Sequence, residues 1–113
     1  MKTRKFHLYL ADLNPRMGTK PGKVRPVIVV QTDLLNETHP STLICPITTQ
    51  VTEQARILRI HLPKGTPGLK KESDLLIDQV RPIDNRRLKK HLGQLTDKQK
   101  EVLLENLRII VLE

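Results

Sequence analysis

The strand that decides the fold is predicted by residues 24–31, which read Val24-Arg25-Pro26-Val27-Ile28-Val29-Val30-Gln31 and follow a polar, turn-forming stretch. The continuous β-branched run over residues 27–31 is typical of a strand that is covered on both faces. Because one small barrel supplies only one core, cover on the second face suggests a partner subunit. A small, mainly β domain is therefore the first expectation.

Arg25 lies at the N-terminal end of this strand. The residue before a proline is pushed out of the helical region, so Pro26 holds Arg25 in an extended backbone where loop becomes strand. A guanidinium keeps its charge at ordinary pH and offers five donors in a rigid fork. Fixed in this way, Arg25 is suited to bind a phosphate.

Further strands are predicted on both sides of this one. They cover residues 6–11, 42–48, 56–62 and 74–78, with an extension over residues 80–83. Pro46 favours an edge position or a bulge for its strand, because proline cannot donate to a ladder. The polar residues 33–41 predict a loop. Short strands followed by a terminal helix indicate a small barrel or curled sheet of about five to seven strands with two or three helices.

Two helices are predicted near the C-terminus. Asp84 caps a short basic helix over residues 86–91, which ends near Gly93. Thr96 and Gln99 fit the capping-box pattern of a second helix. The apolar stripe of this second helix consists of Leu103, Leu107, Ile110 and Val111.

Length and charge limit the possible functions. The 113 residues are one domain, 1–113, and 20 Lys+Arg against 12 Asp+Glu give a net charge of +8. Such a surplus favours a nucleic-acid partner over a membrane surface, although a basic protein without such a partner is the alternative. The only aromatic residues are Phe6 and Tyr9. Folds that stack successive bases on aromatic rings are therefore disfavoured.

The cysteine count and the hydropathy favour the cytoplasm. Cys45 is the single cysteine, so no internal disulfide can form, and its apolar surroundings predict a core residue rather than a nucleophile. No stretch approaches the length of a membrane span. His7 and Asp12 interrupt the apolar segment after the basic start, which argues against a secretory signal.

Three segments place polar side chains at the end of a predicted strand, where the rim of a barrel would gather them into one site. They cover residues 22–31, which contain Arg25, residues 46–50, which read Pro46-Ile47-Thr48-Thr49-Gln50, and residues 78–84, which read Asp78-Gln79-Val80-Arg81-Pro82-Ile83-Asp84.

Together these segments resemble the MazF/PemK family, the toxin half of type II toxin–antitoxin pairs. The match extends in order over residues 10–15, the strand that contains Arg25-Pro26, and residues 36–42, 48–50, 68–73 and 78–84. Several separate motifs at matching spacing make it specific. The resemblance implies an SH3-like barrel that forms a homodimer through its sheet. It also implies metal-independent cleavage of single-stranded RNA at a short sequence, with no cofactor, and inhibition by an antitoxin of the MazE/PemI type that fills the RNA groove.

The resemblance assigns roles to two residues. Arg25 matches the family's catalytic arginine and would stabilise the charge of a phosphorane-like transition state. Thr48 matches the catalytic threonine, whose hydroxyl can donate to a phosphate oxygen. Without the resemblance, Arg25 is about as readily a surface arginine that solvates a strand end as a phosphate ligand. Thr48 is then much more readily an ordinary β-former than a catalytic residue. RNA supplies its own nucleophile, the 2′-hydroxyl, so the expected products are a 2′,3′-cyclic phosphate (or 3′-phosphate) and a 5′-hydroxyl.

The general base is left open by the sequence. Many family members carry an acidic residue in the turn before the arginine, where this chain has Lys20. Either Asp78 serves as the base, or positioning and charge activate the hydroxyl. Some members pair the aspartate with an arginine two residues earlier, but Leu76 occupies that position here.

Further residues are expected to bind RNA along the groove. They are Thr19, Lys20, Lys23, Thr49, Gln50, Gln79 and Arg81. Structural alternatives exist for two of them: Gln79 could bond a loop backbone, and Arg81 could pair with Asp84. The four histidines fit no metal-ligand spacing, and only His39, in the polar loop, is a candidate acid or base.

Two other function classes are compatible with parts of the sequence. A gyrase poison of the CcdB type would share the fold, but those proteins rely on a C-terminal tryptophan and this chain has no tryptophan. A non-catalytic basic RNA-binding module would explain the charge and leave the Arg25, Thr48 and Asp78 arrangement unexplained.

Overall fold

The computed structural model describes residues 2–14, 24–51 and 59–113. Within them a mainly β fold ends in a long helix, as the sequence predicts. The elements are β1 (His7–Asp12), β2 (Val24–Val29), α1 (Asp33–Asn36), β3 (Ser41–Thr48), β4 (Arg59–Leu62), β5 (Ser73–Leu76), β6 (Arg81–Asp84), β7 (Leu88–Gln94) and α2 (Asp97–Leu112), with 3-10 turns at Ile77–Gln79 and Asn85–Arg87. The predicted turn over residues 17–23 and the start of the strand predicted at residue 56 lie outside the described residues.

The seven strands form one antiparallel sheet in the order β4-β5-β3-β2-β1-β7, and β6 also pairs with β3. Among the described strands, the two ends of this order, β4 and β7, are not paired with each other, so the barrel is open. The strand β3 is central. Its first half pairs with β6 and its last two residues pair with β5, both along the side opposite β2.

The edge position predicted from Pro46 is wrong, because β3 is paired on both sides. The N–H of Val30 donates to the carbonyl of Leu43 at 3.0 Å, so alternation along the strand turns the nitrogen of Pro46 away from β2. On that other side, β6 ends its pairing at Ile44 and β5 begins at Ile47. The missing donor of Pro46 therefore lies in the gap between two partners, where no ladder bond is lost.

Alternate residues of the central strands contribute to two apolar clusters, one on each face of the sheet. The first cluster contains Leu8, Ile28 and Cys45, and α2 packs against it through Leu103. The second contains Tyr9, Ala11, Val27, Val29, Ile44, Ile83 and Leu88. Both faces of β2 are thus covered by the chain itself, and the inference of a partner subunit from residues 27–31 does not follow.

The capping box of α2 is confirmed. The side chain of Thr96 accepts from the N–H of Gln99, and the side chain of Gln99 accepts from the N–H of Thr96. Leu103 is fully buried, whereas Val111 is 62% exposed and lies outside the stripe in which it was predicted. At 100° per residue, Val111 is rotated about 80° from Leu103, while Ile110 is only about 20° away.

The predicted basic helix over residues 86–91 is wrong, because this segment is mostly the strand β7. Asp84 does cap a turn, since its carboxylate accepts from the N–H of Arg86, but this 3-10 turn ends at Arg87. The chain then pairs with the free side of β1. Gly68 (φ +85°) and Gly93 allow this close packing, because an added Cβ would lie 2.5 Å from Cβ of Leu92 and 2.8 Å from Cβ of Pro67, respectively.

Two smaller expectations differ from the structure. The loop predicted over residues 33–41 contains α1, whose first turn is capped by the hydroxyl of Thr32. The fifth strand predicted over residues 74–78 ends at Leu76, and its expected extension is the separate strand β6, which pairs with β3. The 3-10 turn between β5 and β6 redirects the chain.

A histidine pair joins β1 to β7, and we expect it to make the free energy of unfolding depend on pH. Nδ1 of His7 lies 2.8 Å from Nε2 of His91. Burial lowers the pKa of His7 below the ordinary 6.5, and the charges of His91, Arg4 and Lys100 lower it further against the opposing Asp33. The folded state therefore binds the proton of His7 more weakly than the unfolded chain does. The contribution of neutral His7 to the free energy of unfolding is present above about pH 6.5 and is lost as the pH falls.

We expect the free energy of unfolding to fall between about pH 7.5 and pH 5.5, and to fall less in His7→Gln than in the wild type. Urea denaturation at the two pH values measures both quantities. An equal decline in the two proteins would contradict this assignment.

Candidate active site

The residues Arg25 and Thr48 are brought together by the register of two neighbouring strands. Val27 of β2 is paired with Pro46 of β3. Arg25 precedes Val27 by two residues and Thr48 follows Pro46 by two, so both lie two residues beyond this last pair, at the same end of the two strands. Residues two apart along a strand have side chains on the same face of the sheet, so Arg25 shares the face of Val27 and Thr48 that of Pro46.

Thr48 is oriented by its own turn. It is the last residue of β3, it is half-buried, and its Oγ1 accepts a hydrogen bond from the N–H of Gln50 at 3.1 Å. Because the hydroxyl oxygen is used as the acceptor here, its proton is left to donate elsewhere. The hydrogen bond from Gln50 thus orients the hydroxyl of Thr48.

Both side chains open into one cleft of about 430 Å³. Its described lining is Leu13, Arg25, Pro46, Ile47, Thr48, Thr49, Gln50, Leu76, Gln79 and Arg81. Six sequence-predicted site residues thus line the same cleft: Arg25, Thr48, Thr49, Gln50, Gln79 and Arg81. This lining contains two guanidinium groups and, among the described residues, no carboxylate and no imidazole. The cleft is therefore a positively charged site with hydroxyl and amide groups on its walls.

The 3-10 turn after β5 brings the third motif to the cleft. It is closed by a hydrogen bond of 3.2 Å from the N–H of Val80 to the carbonyl of Ile77, and β6 then runs beside β3 with Arg81 opposite Ile44. Asp84 at the other end of β6 pairs with Arg86 at 3.0 Å, and hydrogen bonds from Arg86 lower the pKa of Asp84 to about 2. Asp84, the structural alternative partner of Arg81, is therefore paired with Arg86 instead.

Comparison with known proteins identifies the family. The family described as the PemK-like, MazF-like toxin of type II toxin–antitoxin systems matches residues 4–111. The chain belongs to this toxin family. It is 36% identical over 100 residues to an endoribonuclease MazF of Staphylococcus saprophyticus, with 88% of this chain and 83% of the relative covered.

Solved structures of PemK/MazF proteins share the fold. The toxin MazF-mt6 of Mycobacterium tuberculosis superimposes with a TM-score of 0.77 at 21% identity, over 92% of this chain and 94% of that one. MazF in the MazE–MazF complex of Deinococcus radiodurans gives a TM-score of 0.80 at 20% identity, over 98% and 96% of the two chains. The predicted SH3-like, PemK/MazF-type architecture is thereby confirmed.

Asp78 is not among the residues that line the cleft. It is exposed on the 3-10 turn, next to Gln79. Burial first, and then the negative charge of Asp78, raise the pKa of Cys45 to about 12. Cys45 is fully buried in the first cluster, as predicted, and its thiol stays protonated at neutral pH.

The other candidates lie elsewhere. His39 bonds to Ser41 at 3.0 Å, at the opposite end of β3 and roughly 23 Å along the strand from Thr48. Thr19, Lys20 and Lys23 lie outside the described residues. Across residues 2–14, 24–51 and 59–113, no three His, Cys, Asp or Glu side chains are grouped so that they could hold a metal ion.

Sequence reasoning missed two residues beside the cleft. Asp74 of β5 is paired directly with Thr48, and Arg59 of β4 reaches the backbone of Gln50. Asp74 was visible as a charged residue at the start of an apolar strand, but only the register shows which residue it faces.

Proposed function

We propose that this chain cuts single-stranded RNA at a short recognition sequence, without a metal, through attack by the RNA's own 2′-hydroxyl at the Arg25–Thr48 site. As a PemK/MazF protein the chain is a type II toxin and an endoribonuclease. The observation that carries the mechanism is that Arg25 of β2 and Thr48 of β3 line one cleft. An anionic transition state formed between them would face a permanent positive charge and an oriented hydroxyl donor.

The reaction breaks one bond to phosphorus and forms another. The 2′-oxygen attacks the adjacent phosphorus, its proton passes to water, and the bond from phosphorus to the 5′-oxygen breaks. The leaving 5′-oxygen takes up a proton from water, and the products are a 2′,3′-cyclic phosphate, or the 3′-phosphate formed from it, and a 5′-hydroxyl. Arg25 stabilises the charge on the phosphate oxygens, and Thr48 donates to one of them.

Charge and position, rather than Asp78, activate the 2′-hydroxyl in this proposal. Arg25 and Arg81 give the cleft its positive charge, while Asp78 lies outside its lining on an exposed turn. Two nearby cations favour the alkoxide over the neutral hydroxyl by the same electrostatics that lower the pKa of any acid.

RNA binding extends from the cleft along the groove. The side chains of Thr49, Gln50 and Gln79 offer donors and acceptors that suit the edges of unstacked bases, whereas Arg81 suits a phosphate. On the segment outside the described residues, we assign Thr19, Lys20 and Lys23 to the same groove, because they precede Arg25 in the sequence and offer hydroxyl or ammonium donors to a phosphate or a base edge. Reading by hydrogen bonds fits a chain with only two aromatic residues.

The partners follow from the toxin class. A type II toxin has a cognate antitoxin, and the net charge of +8 suits an acidic segment that competes with RNA for the groove. We assign a homodimeric, cytoplasmic state and an inhibitory effect on growth on the same basis. No helix in the described ranges has the length and apolar composition needed to cross a bilayer.

Cleavage in the presence of EDTA tests the metal-free mechanism. Purified protein should cut a single-stranded transcript at the same sites and rates with and without excess EDTA, because the proposed catalytic groups are a guanidinium and a hydroxyl. Arg25→Ala, purified in parallel, controls for contaminating ribonuclease. Cutting that stops in EDTA and returns with Mg²⁺ would overturn the mechanism.

A further inference from the structure

Asp74 is a buried charge beside the catalytic threonine. Asp74 lies on β5 and is 2% exposed, and it is paired with Thr48 of β3 and with His61 of β4. Thr48, Asp74 and His61 therefore form one row across three strands on the same face of the sheet. A buried carboxylate is stable only when its oxygens are paired, so the partners of Asp74 matter.

Within the described residues, the carboxylate of Asp74 contacts a guanidinium and an imidazole. Nη1 of Arg59 lies 3.4 Å from Oδ2, and Nδ1 of His61 lies 3.3 Å from Oδ1. The Arg59 side chain is 26% exposed, so it is partly buried.

Arg59 also reaches the turn that carries Thr48. The same Nη1 donates to the backbone carbonyl of Gln50 at 2.8 Å. The N–H of Gln50 in turn donates to Oγ1 of Thr48 at 3.1 Å. A continuous set of contacts therefore runs from the buried carboxylate through the guanidinium and one residue's backbone to the catalytic hydroxyl.

We propose that Arg59, held by Asp74, is a positioning residue that fixes the Thr48–Gln50 turn so that the Thr48 hydroxyl donates to the scissile phosphate. This role rests on the proposed function. Removal of the guanidinium leaves the Gln50 carbonyl without this donor, and the turn then loses the contact that sets the direction of the Thr48 hydroxyl.

The test is single-turnover and steady-state cleavage of a short RNA by Arg59→Ala, Arg59→Lys and wild type. We expect Arg59→Ala to lower kcat by roughly tenfold to a hundredfold with KM changed less than about threefold, since a small misplacement of a reacting group has effects of this size. Arg59→Lys keeps a donor and should recover part of the loss. Arg108→Ala is the matched control, because this α2 arginine pairs with Glu105 and does not line the cleft.

A double-mutant cycle separates positioning from a general structural role. If Arg59 acts through Thr48, Arg59→Ala should cost less than about threefold in a Thr48→Val background, since the group to be positioned is already gone. An equal loss in both backgrounds would overturn the proposal. Thermal melts accompany each variant, and the conservative Arg59→Lys serves if Arg59→Ala does not fold.

The outcomes distinguish this proposal from the one on which it rests. Wild-type cleavage that is lost in Arg25→Ala but unchanged in Arg59→Ala would overturn the role of Arg59 and leave the proposed function standing. A wild-type protein that does not cut RNA would overturn both.

Discussion

Arg25→Ala is expected to reduce the rate of RNA cleavage by about two to three orders of magnitude, the usual effect of losing one preorganised donor to a transition-state oxyanion. The guanidinium is exposed and reaches the cleft from the second residue of β2, so its loss leaves both apolar clusters unchanged. The effect should therefore fall on catalysis and not on folding. Single-turnover cleavage at saturating enzyme measures it, and a thermal melt checks the fold.

Two variants sharpen this result. Arg25→Lys keeps the charge without the fork and should lie between Ala and wild type, because a lysine cannot bind a phosphate in bidentate fashion. Asp78→Asn should stay within about tenfold of wild type, since Asp78 does not line the cleft. A loss in Asp78→Asn as large as that in Arg25→Ala would make Asp78 the general base, and an active Arg25→Ala would show that the site is assigned wrongly.

A single 2′-deoxy substitution at the scissile nucleotide should abolish cleavage. The proposed nucleophile is then absent, so the loss should reach the detection limit, on the order of 10⁶-fold, which is the lower range of enzymatic rate enhancement. The cut site is first mapped on a long transcript, and an RNA oligonucleotide containing it is then made with the one substitution. The uncut RNA should still bind, because the cleft contacts phosphates and base edges.

The matched substrate carries the 2′-deoxy substitution one nucleotide away and should be cut at close to the normal rate. The products of the unmodified RNA should carry a 5′-hydroxyl, which polynucleotide kinase can label directly. Cleavage of the scissile-site deoxy substrate at an undiminished rate would exclude internal attack and point to an activated water instead.

Local sequence signals were sufficient where a short segment determines its own structure. The capping box of Thr96 and Gln99 needs only four residues to satisfy the first N–H groups of a helix, so it was predicted and is present. The β2 run and the burial of Cys45 likewise follow from apolar residues that must leave water.

The segment over residues 86–91 shows where local signals fail. Its cap by Asp84 and its run of basic residues suit a helix, yet most of it forms the strand β7. As a strand it forms backbone hydrogen bonds with the free side of β1, and the side chain of Leu88 packs into the second cluster. Tertiary strand pairing outweighs intrinsic helix propensities, which differ between ordinary residue types by only tenths of a kcal/mol per residue.

By itself, the sequence determined the mainly β fold class and the positive net charge, and its resemblance to the MazF/PemK family singled out the candidate site residues. Composition, periodicity and short motifs are local properties, and they can be read without knowledge of which strands pair. Only the tertiary structure decided that Arg25 and Thr48 line the same cleft, that Asp78 is not in its lining, and that Asp74 and Arg59 contact the strand and turn around Thr48. These facts depend on strand register, where a shift of one residue turns every side chain to the other face.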